Sequence, residues 1–137
     1  TFETNGTQAL KEPFKEWVKS IGTEVFFSVS PKLFTVSGEK TEKAIKPETV
    51  AEYYKLSKAG QLKFVVGSAD REWDEMEMTI QKFRDAGVDW PIWVMPTGAR
   101  EEEQTAGAGK VAEKAFKRGY NVAARVHVYL FGNAIGT

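Results

Sequence analysis

Helix-like and strand-like periodicities alternate along this chain, which predicts an α/β protein with a parallel sheet in the order β-α-β-α-β-α-β-α-β. Two further observations support that class. The connections between segments are short, and Leu62 to Val66 is a short, mainly apolar run, as suits a strand buried in a parallel sheet. The 137 residues, 42% of them hydrophobic, suffice for one domain, 1–137, with a core of its own. Right-handed crossovers would wind such a sheet as part of a barrel or as an open doubly wound sheet. Five strands with a clipped first one suit a partial barrel that lacks its opening units.

The elements follow in order. Thr1 to Thr4 reads as the tail of a strand whose beginning is missing, and it runs into the turn pair Asn5-Gly6. Leu10, Phe14, Trp17, Val18 and Ile21 recur at helical spacing, with Gly22 as the stop. Glu24 to Val29 is a β-rich run halted by Ser30-Pro31, and a polar loop is expected at Ser37 to Thr41. Pro47 opens a helix where its missing N–H costs little; Val50, Tyr53, Tyr54 and Leu56 form its apolar side, and Gly60 is expected to close it.

After the strand at Leu62 to Val66, Asp70 is expected to cap a helix whose Trp73, Met76, Ile80 and Phe83 face the core, ending at Gly87. Pro91 to Met95 is the next strand, stopped by Pro96. Glu101, Glu102 and Glu103 suit the first turn of a further helix, where carboxylates meet the positive end of its dipole. Val111, Ala112, Ala115 and Phe116 are expected as its buried stripe, with Gly119 its end and a last strand over Val122 to Phe131.

Composition removes several function classes. Nineteen basic and nineteen acidic residues cancel, which argues against general nucleic-acid binding. The chain contains no cysteine and one histidine, which excludes disulfides, thiolate metal sites, cysteine nucleophiles, cysteine-held clusters and His-rich metal sites within it. With no long apolar run and no charged-then-apolar leader, a cytoplasmic protein without membrane contact is expected.

In parallel α/β architectures ligands sit at the carboxyl ends of the strands. Those ends read Thr4 to Thr7, Ser28 to Lys32, Gly67 to Asp70, Met95 to Gly98 and Gly132-Asn133, all small or polar. Such a rim suits a polar molecule, although loops in general share this composition. In the last strand Arg125, His127 and Tyr129 alternate with Val126, Val128 and Leu130, so the polar set projects from one face. That face is either a barrel interior or the wet side of an edge strand. Gly107 to Lys110 is not a phosphate loop, because Gln104 and Val111 occupy the positions of its first glycine and its hydroxyl residue. Asn5-Gly6-Thr7 reads as a turn rather than a glycosylation site, and Glu101 to Glu103 as a solvated helix start.

Five segments occur in register along the chain: Glu3-Thr4-Asn5-Gly6-Thr7, Ser30-Pro31-Lys32-Leu33, Leu62-Lys63-Phe64-Val65-Val66, Met95-Pro96-Thr97-Gly98, and Arg125-Val126-His127 through Phe131-Gly132-Asn133. Together with the closing Ala134-Ile135-Gly136-Thr137 they resemble the carboxy-terminal part of the 7-carboxy-7-deazaguanine synthases, which are radical S-adenosylmethionine enzymes. The resemblance implies a modified, partial (β/α) barrel, incomplete here at its N-terminus, acting as a homodimer. It implies a lyase reaction: ring contraction of 6-carboxy-5,6,7,8-tetrahydropterin to 7-carboxy-7-deazaguanine with loss of ammonia, in queuosine and other deazaguanine biosynthesis. S-adenosylmethionine, a [4Fe–4S] cluster and Mg2+ are its implied cofactors, and a flavodoxin-like reductant protein an implied partner.

Carried over residue by residue, the resemblance assigns Ser30, Pro31 and Lys32 to S-adenosylmethionine, with Met95, Pro96, Thr97 and Gly98 as a second such segment and Glu3 and Asn5 at its border. It places His127, Arg125 and the carboxylate of Thr137 beside the pterin. The family's three cluster cysteines, its magnesium-binding threonine and its Gly-Gly-Glu-Pro segment have no counterpart here, so this chain alone is expected to be inactive. Two other readings remain open: another radical S-adenosylmethionine enzyme such as an activase, and a cluster-free binding or interaction module that kept the cofactor pocket.

Overall fold

A computed structural model describes residues 1–22, 24–97 and 101–123. The elements are β1 (Phe2–Thr4), α1 (Glu12–Ser20), β2 (Phe27–Val29), α2 (Phe34–Ser37), α3 (Thr41–Ala44), α4 (Pro47–Leu56), β3 (Gly60–Val66), α5 (Asp70–Asp85), β4 (Ile92–Pro96), α6 (Glu101–Lys117) and β5 (Asn121–Val122). All neighbouring strands pair in parallel, in the spatial order β1-β2-β3-β4-β5. Strand order that follows chain order is that of a singly wound barrel wall; a doubly wound sheet reverses direction partway. The sheet is therefore the α/β type expected, consistent with a partial barrel, and it is not closed.

Burial along the strands shows which face the helices cover. In β3, Leu62, Phe64 and Val66 are fully buried, whereas Gln61, Lys63 and Val65 are only partly so. In β4, Ile92, Val94 and Pro96 are buried and Trp93 and Met95 are not. Side chains alternate across a strand, so one face packs into the helical core and the other is open. The core gathers Phe27, Val29, Leu62, Phe64 and Val94 from the strands with Val50, Tyr53, Trp73, Met76, Phe83 and Val111 from the helices. At the near edge of the sheet, Phe2 packs edge-on against Phe14, with ring centroids 5.0 Å apart, and also against Trp17.

The α5 stripe is as the spacing predicts, with Trp73, Met76, Ile80 and Phe83 all buried. Other expectations are corrected. Gly60 does not close α4 but opens β3. The helix ends instead at Ser57, whose hydroxyl donates to the Val25 carbonyl at 2.5 Å and so diverts the chain toward β2. Asp70 is the first residue of α5 and not its cap: Ala69 takes that position, and its N–H donates to the Glu72 carboxylate at 3.3 Å. On α6 Val111 and Ala115 are buried, but Phe116 is 67% exposed, because adjacent helical residues do not share a face.

The loop expected at 37–41 is reduced to the link between α2 and α3. Helix α2 forms because Glu75 of α5 accepts the N–H groups of Phe34 (2.7 Å) and Thr35 (2.9 Å) and the Thr35 hydroxyl (2.6 Å). These are N-terminal donors that a helix cannot satisfy internally, and no local residue announces their partner. The last strand is described only as Asn121–Val122, with the expected Ala124 to Phe131 part lying outside the described residues.

Helix α6 is tied to α5 by charged contacts. Lys114 meets Asp70 at 2.6 Å and the Ser68 carbonyl at 2.8 Å, and its hydrogen bond holds the Asp70 carboxyl below its ordinary range. The Tyr120 hydroxyl donates to Glu77 at 2.8 Å, while Arg118 approaches Glu77 at 2.9 Å. Burial, and then the Glu77 contact, push the Tyr120 phenol above its usual range. A phenol raised by folding contributes stability that is whole below the unfolded pKa of about 10 and is lost as the pH climbs above it. The denaturant midpoint is therefore expected to fall more steeply between about pH 9 and pH 11 in the wild type than in Tyr120→Phe. Parallel slopes in urea titrations across that range would show that the contact contributes nothing.

Candidate functional site

The open face of the sheet carries a cleft of about 420 Å³ lined by Glu3, Thr4, Asn5, Ser28, Ser30, Lys32, Lys63, Val65 and Met95. Its size lies within the range of roughly 300–1,000 Å³ common to small-molecule sites. The parallel register assembles it. Glu3 pairs with Ser28 and Ser28 with Gln61, so the three share the open face; Lys63 pairs with Trp93 and Val65 with Met95 in the layers above. The upper wall is made by the chain leaving β1 and β2, which delivers Asn5, Ser30 and Lys32 at the carboxyl ends of those strands.

Local chemistry shapes each wall. Beyond β1, Thr4 Oγ1 accepts the Gly6 N–H at 3.1 Å, and Asn5 Oδ1 accepts the N–H and hydroxyl of Thr7 at 3.2 and 2.8 Å. These bonds engage the Asn5 carbonyl oxygen and leave its amide NH2 for the cleft. Gly6 has φ of 78°, and a Cβ there would stand 2.8 Å from Val50 and 2.9 Å from Val29, so the turn requires glycine. At the floor, Gln61 Nε2 donates to Ser28 Oγ at 3.0 Å. Beyond β2, the Glu75 bonds to Phe34 and Thr35 fasten the segment just after Lys32. Glu3, Lys32 and Lys63 have no ion pair or hydrogen bond among the described residues.

Of the residues singled out in the sequence, Glu3, Asn5, Ser30, Lys32 and Met95 converge on this one cleft. Pro31 and Pro96 are buried and do not line it, Pro96 lying on the helix-facing side of β4. Thr97 continues β4 beside Val66, its N–H donating to the Val66 carbonyl at 2.9 Å. Gly98, Arg125, His127 and Thr137 lie outside the described residues. The rim at Gly67 to Asp70 does not line the cleft, since its Asp70 carboxylate is turned to Lys114.

Ser28 belongs to the rim segment Ser28 to Lys32, whereas Lys63 and Val65 are cleft residues that the sequence reading did not select. Their signal was the polar-apolar alternation of Gln61 to Val66, masked by reading the strand as buried on both faces. A second cavity, of about 390 Å³, lies beside β1 and is walled by Phe2, Leu10, Phe14, Phe27 and Tyr53 with few polar groups. The Tyr53 hydroxyl is spent on the Gln8 carbonyl. The polar cleft is the better candidate for chemistry.

Fold and cleft define a class: an open, singly wound α/β sheet with a polar cleft on its open face, toward the carboxyl ends of its first strands. Within that class, the chain is similar to the 7-carboxy-7-deazaguanine synthase of Rhodopirellula baltica, with 32% identity over 98 residues. The match covers 70% of this chain and 36% of the relative, so the chain spans little more than a third of the protein it resembles. No family model and no solved structure matches the chain.

Proposed function

We propose that this chain is the S-adenosylmethionine-binding, substrate-facing part of a radical enzyme that converts 6-carboxytetrahydropterin to 7-carboxy-7-deazaguanine with loss of ammonia. The observation that carries the reading is the convergence of Glu3, Asn5, Ser30, Lys32 and Met95 on one polar cleft. Similarity to a synthase of that name supports the reaction.

The donor set fits S-adenosylmethionine. Lys32 presents three N–H donors to a carboxylate or to ribose hydroxyls, and Ser30 both donates and accepts. Asn5 offers its amide NH2. Glu3 accepts from hydroxyl or amine groups, and the Val65 and Met95 side chains give a heterocycle an apolar surface. Gly98 of the same segment, together with Arg125, His127 and the Thr137 carboxylate, belongs to this proposal as well, the last three toward the pterin.

The residues do not fit the other cofactors. The chain has no cysteine to hold a [4Fe–4S] cluster. Among the described residues no three His, Cys, Asp or Glu side chains gather to hold a metal such as Mg2+. In this proposal both sets of ligands come from other polypeptide, together with a homodimer partner and a flavodoxin-like reductant, in the cytoplasm. No helix of the described residues is long and apolar enough to cross a membrane.

Titration with S-adenosylhomocysteine tests the cleft directly. Lys32→Ala is expected to weaken binding by about 10- to 100-fold, the range for losing a hydrogen bond to a charged group. Wild-type protein that takes up no nucleoside, or a variant that binds equally well, would remove the basis of the proposal. The absence of cysteine favours a second reading, a cluster-free S-adenosylmethionine-binding module. That reading predicts nucleoside binding with no uptake of 6-carboxypterin.

A further inference from the structure

We propose that Lys63 is a carboxylate anchor for a ligand of this cleft, an inference that rests on the reading above. Three observations lead to it. Lys63 stands in the middle of β3 between Leu62 and Phe64, both fully buried against the helices, so strand alternation turns it to the open face. It lines the cleft and is only partly exposed, yet it has no ion pair or hydrogen bond among the described residues. Lys114, comparably placed on α6, shows what this fold does with a partly covered lysine: its ammonium holds both Asp70 and a backbone carbonyl. Removing an ammonium from water without a counter-charge is costly, and a ligand carboxylate would supply one.

The surroundings narrow the ligand. The floor's other polar groups, Ser28 and Gln61, are bonded to each other, so among the described residues Lys63 is the strong donor left free there. Lys32 and Lys63 outnumber the single carboxylate of Glu3 in the cleft wall, and the imbalance selects a ligand that brings negative charge. A point-charge ammonium on a flexible stem suits a carboxylate without fixing its orientation. Two sources exist within the proposed function: the aminoacyl carboxylate of S-adenosylmethionine and the carboxylate of the pterin.

Calorimetric titration of the full chain separates them. Wild type, Lys63→Met and Lys63→Arg would each be titrated with S-adenosylhomocysteine and its methyl ester, and with 6-carboxypterin and 6-methylpterin. Wild type is expected to prefer the carboxylate form in at least one pair by about tenfold or more. Lys63→Met is expected to bring that preference below about twofold, and Lys63→Arg to keep most of it. The pair that loses its preference names the source. An unchanged preference in Lys63→Met overturns the anchor, as does wild-type protein that binds both pairs without preference; in either case the proposed function stands. Failure of wild type to bind any of the four compounds overturns both. Thermal melting of each variant shows whether it is folded.

Discussion

Replacing Trp73 with alanine is expected to destabilise the protein by about 3–5 kcal/mol, the usual cost of emptying a large aromatic site in a packed core. The indole is 1% exposed and is the first member of the α5 stripe. Its N–H donates to the Gly67 carbonyl at 2.8 Å, and the Arg118 guanidinium covers its face 4.8 Å from the ring. The variant should melt roughly 10–20 °C below the wild type. Trp73→Phe keeps most of the ring volume and loses the hydrogen bond, so about 1–3 kcal/mol is expected for it. If phenylalanine proved as damaging as alanine, the hydrogen bond and not the packing would dominate the site.

Gly60→Ala is the second large effect, and it arises from the opposite cause. A Cβ at this position would stand 2.6 Å from the Phe27 carbonyl oxygen and 2.6 Å from Cε2 of Trp90. The carbonyl belongs to the neighbouring strand, so it can move only if the β2–β3 pairing opens; the indole is itself 1% exposed. Overpacking of this kind costs about 1–3 kcal/mol, and the upper end is expected where backbone is the obstacle. A denaturant midpoint lowered to that degree in Gly60→Ala, and only partly restored by adding Trp90→Phe, would fit. Full restoration would place the whole clash on the ring.

The alternation of apolar periods made the βα order legible, because each strand and helix must bury a face and the spacing of apolar residues reports which. The α5 stripe from Trp73 to Phe83 was readable for that reason. Features that depend on contact between distant segments were not. Helix α2 exists through a carboxylate some forty residues further on. Gly60 looked like a helix terminator because glycine commonly is one, yet its role is to admit a carbonyl and an indole. In the cleft, Glu3, Asn5, Ser30, Lys32 and Met95 were found through strand ends and resemblance. Lys63 sits below the rim, within a strand, where only the parity of its neighbours marks the face it takes.

The bonds from Glu75 to Phe34 and Thr35 bear on how the cleft comes into being. Lys32 lies two residues before the first of them, on a stretch with little regular structure of its own. Such a stretch loses conformational entropy when it is ordered, and here α5 imposes that order before any guest arrives. The geometry of this wall is thus inherited from the docking of a remote helix: the stretch that carries Lys32 takes its shape from the tertiary fold.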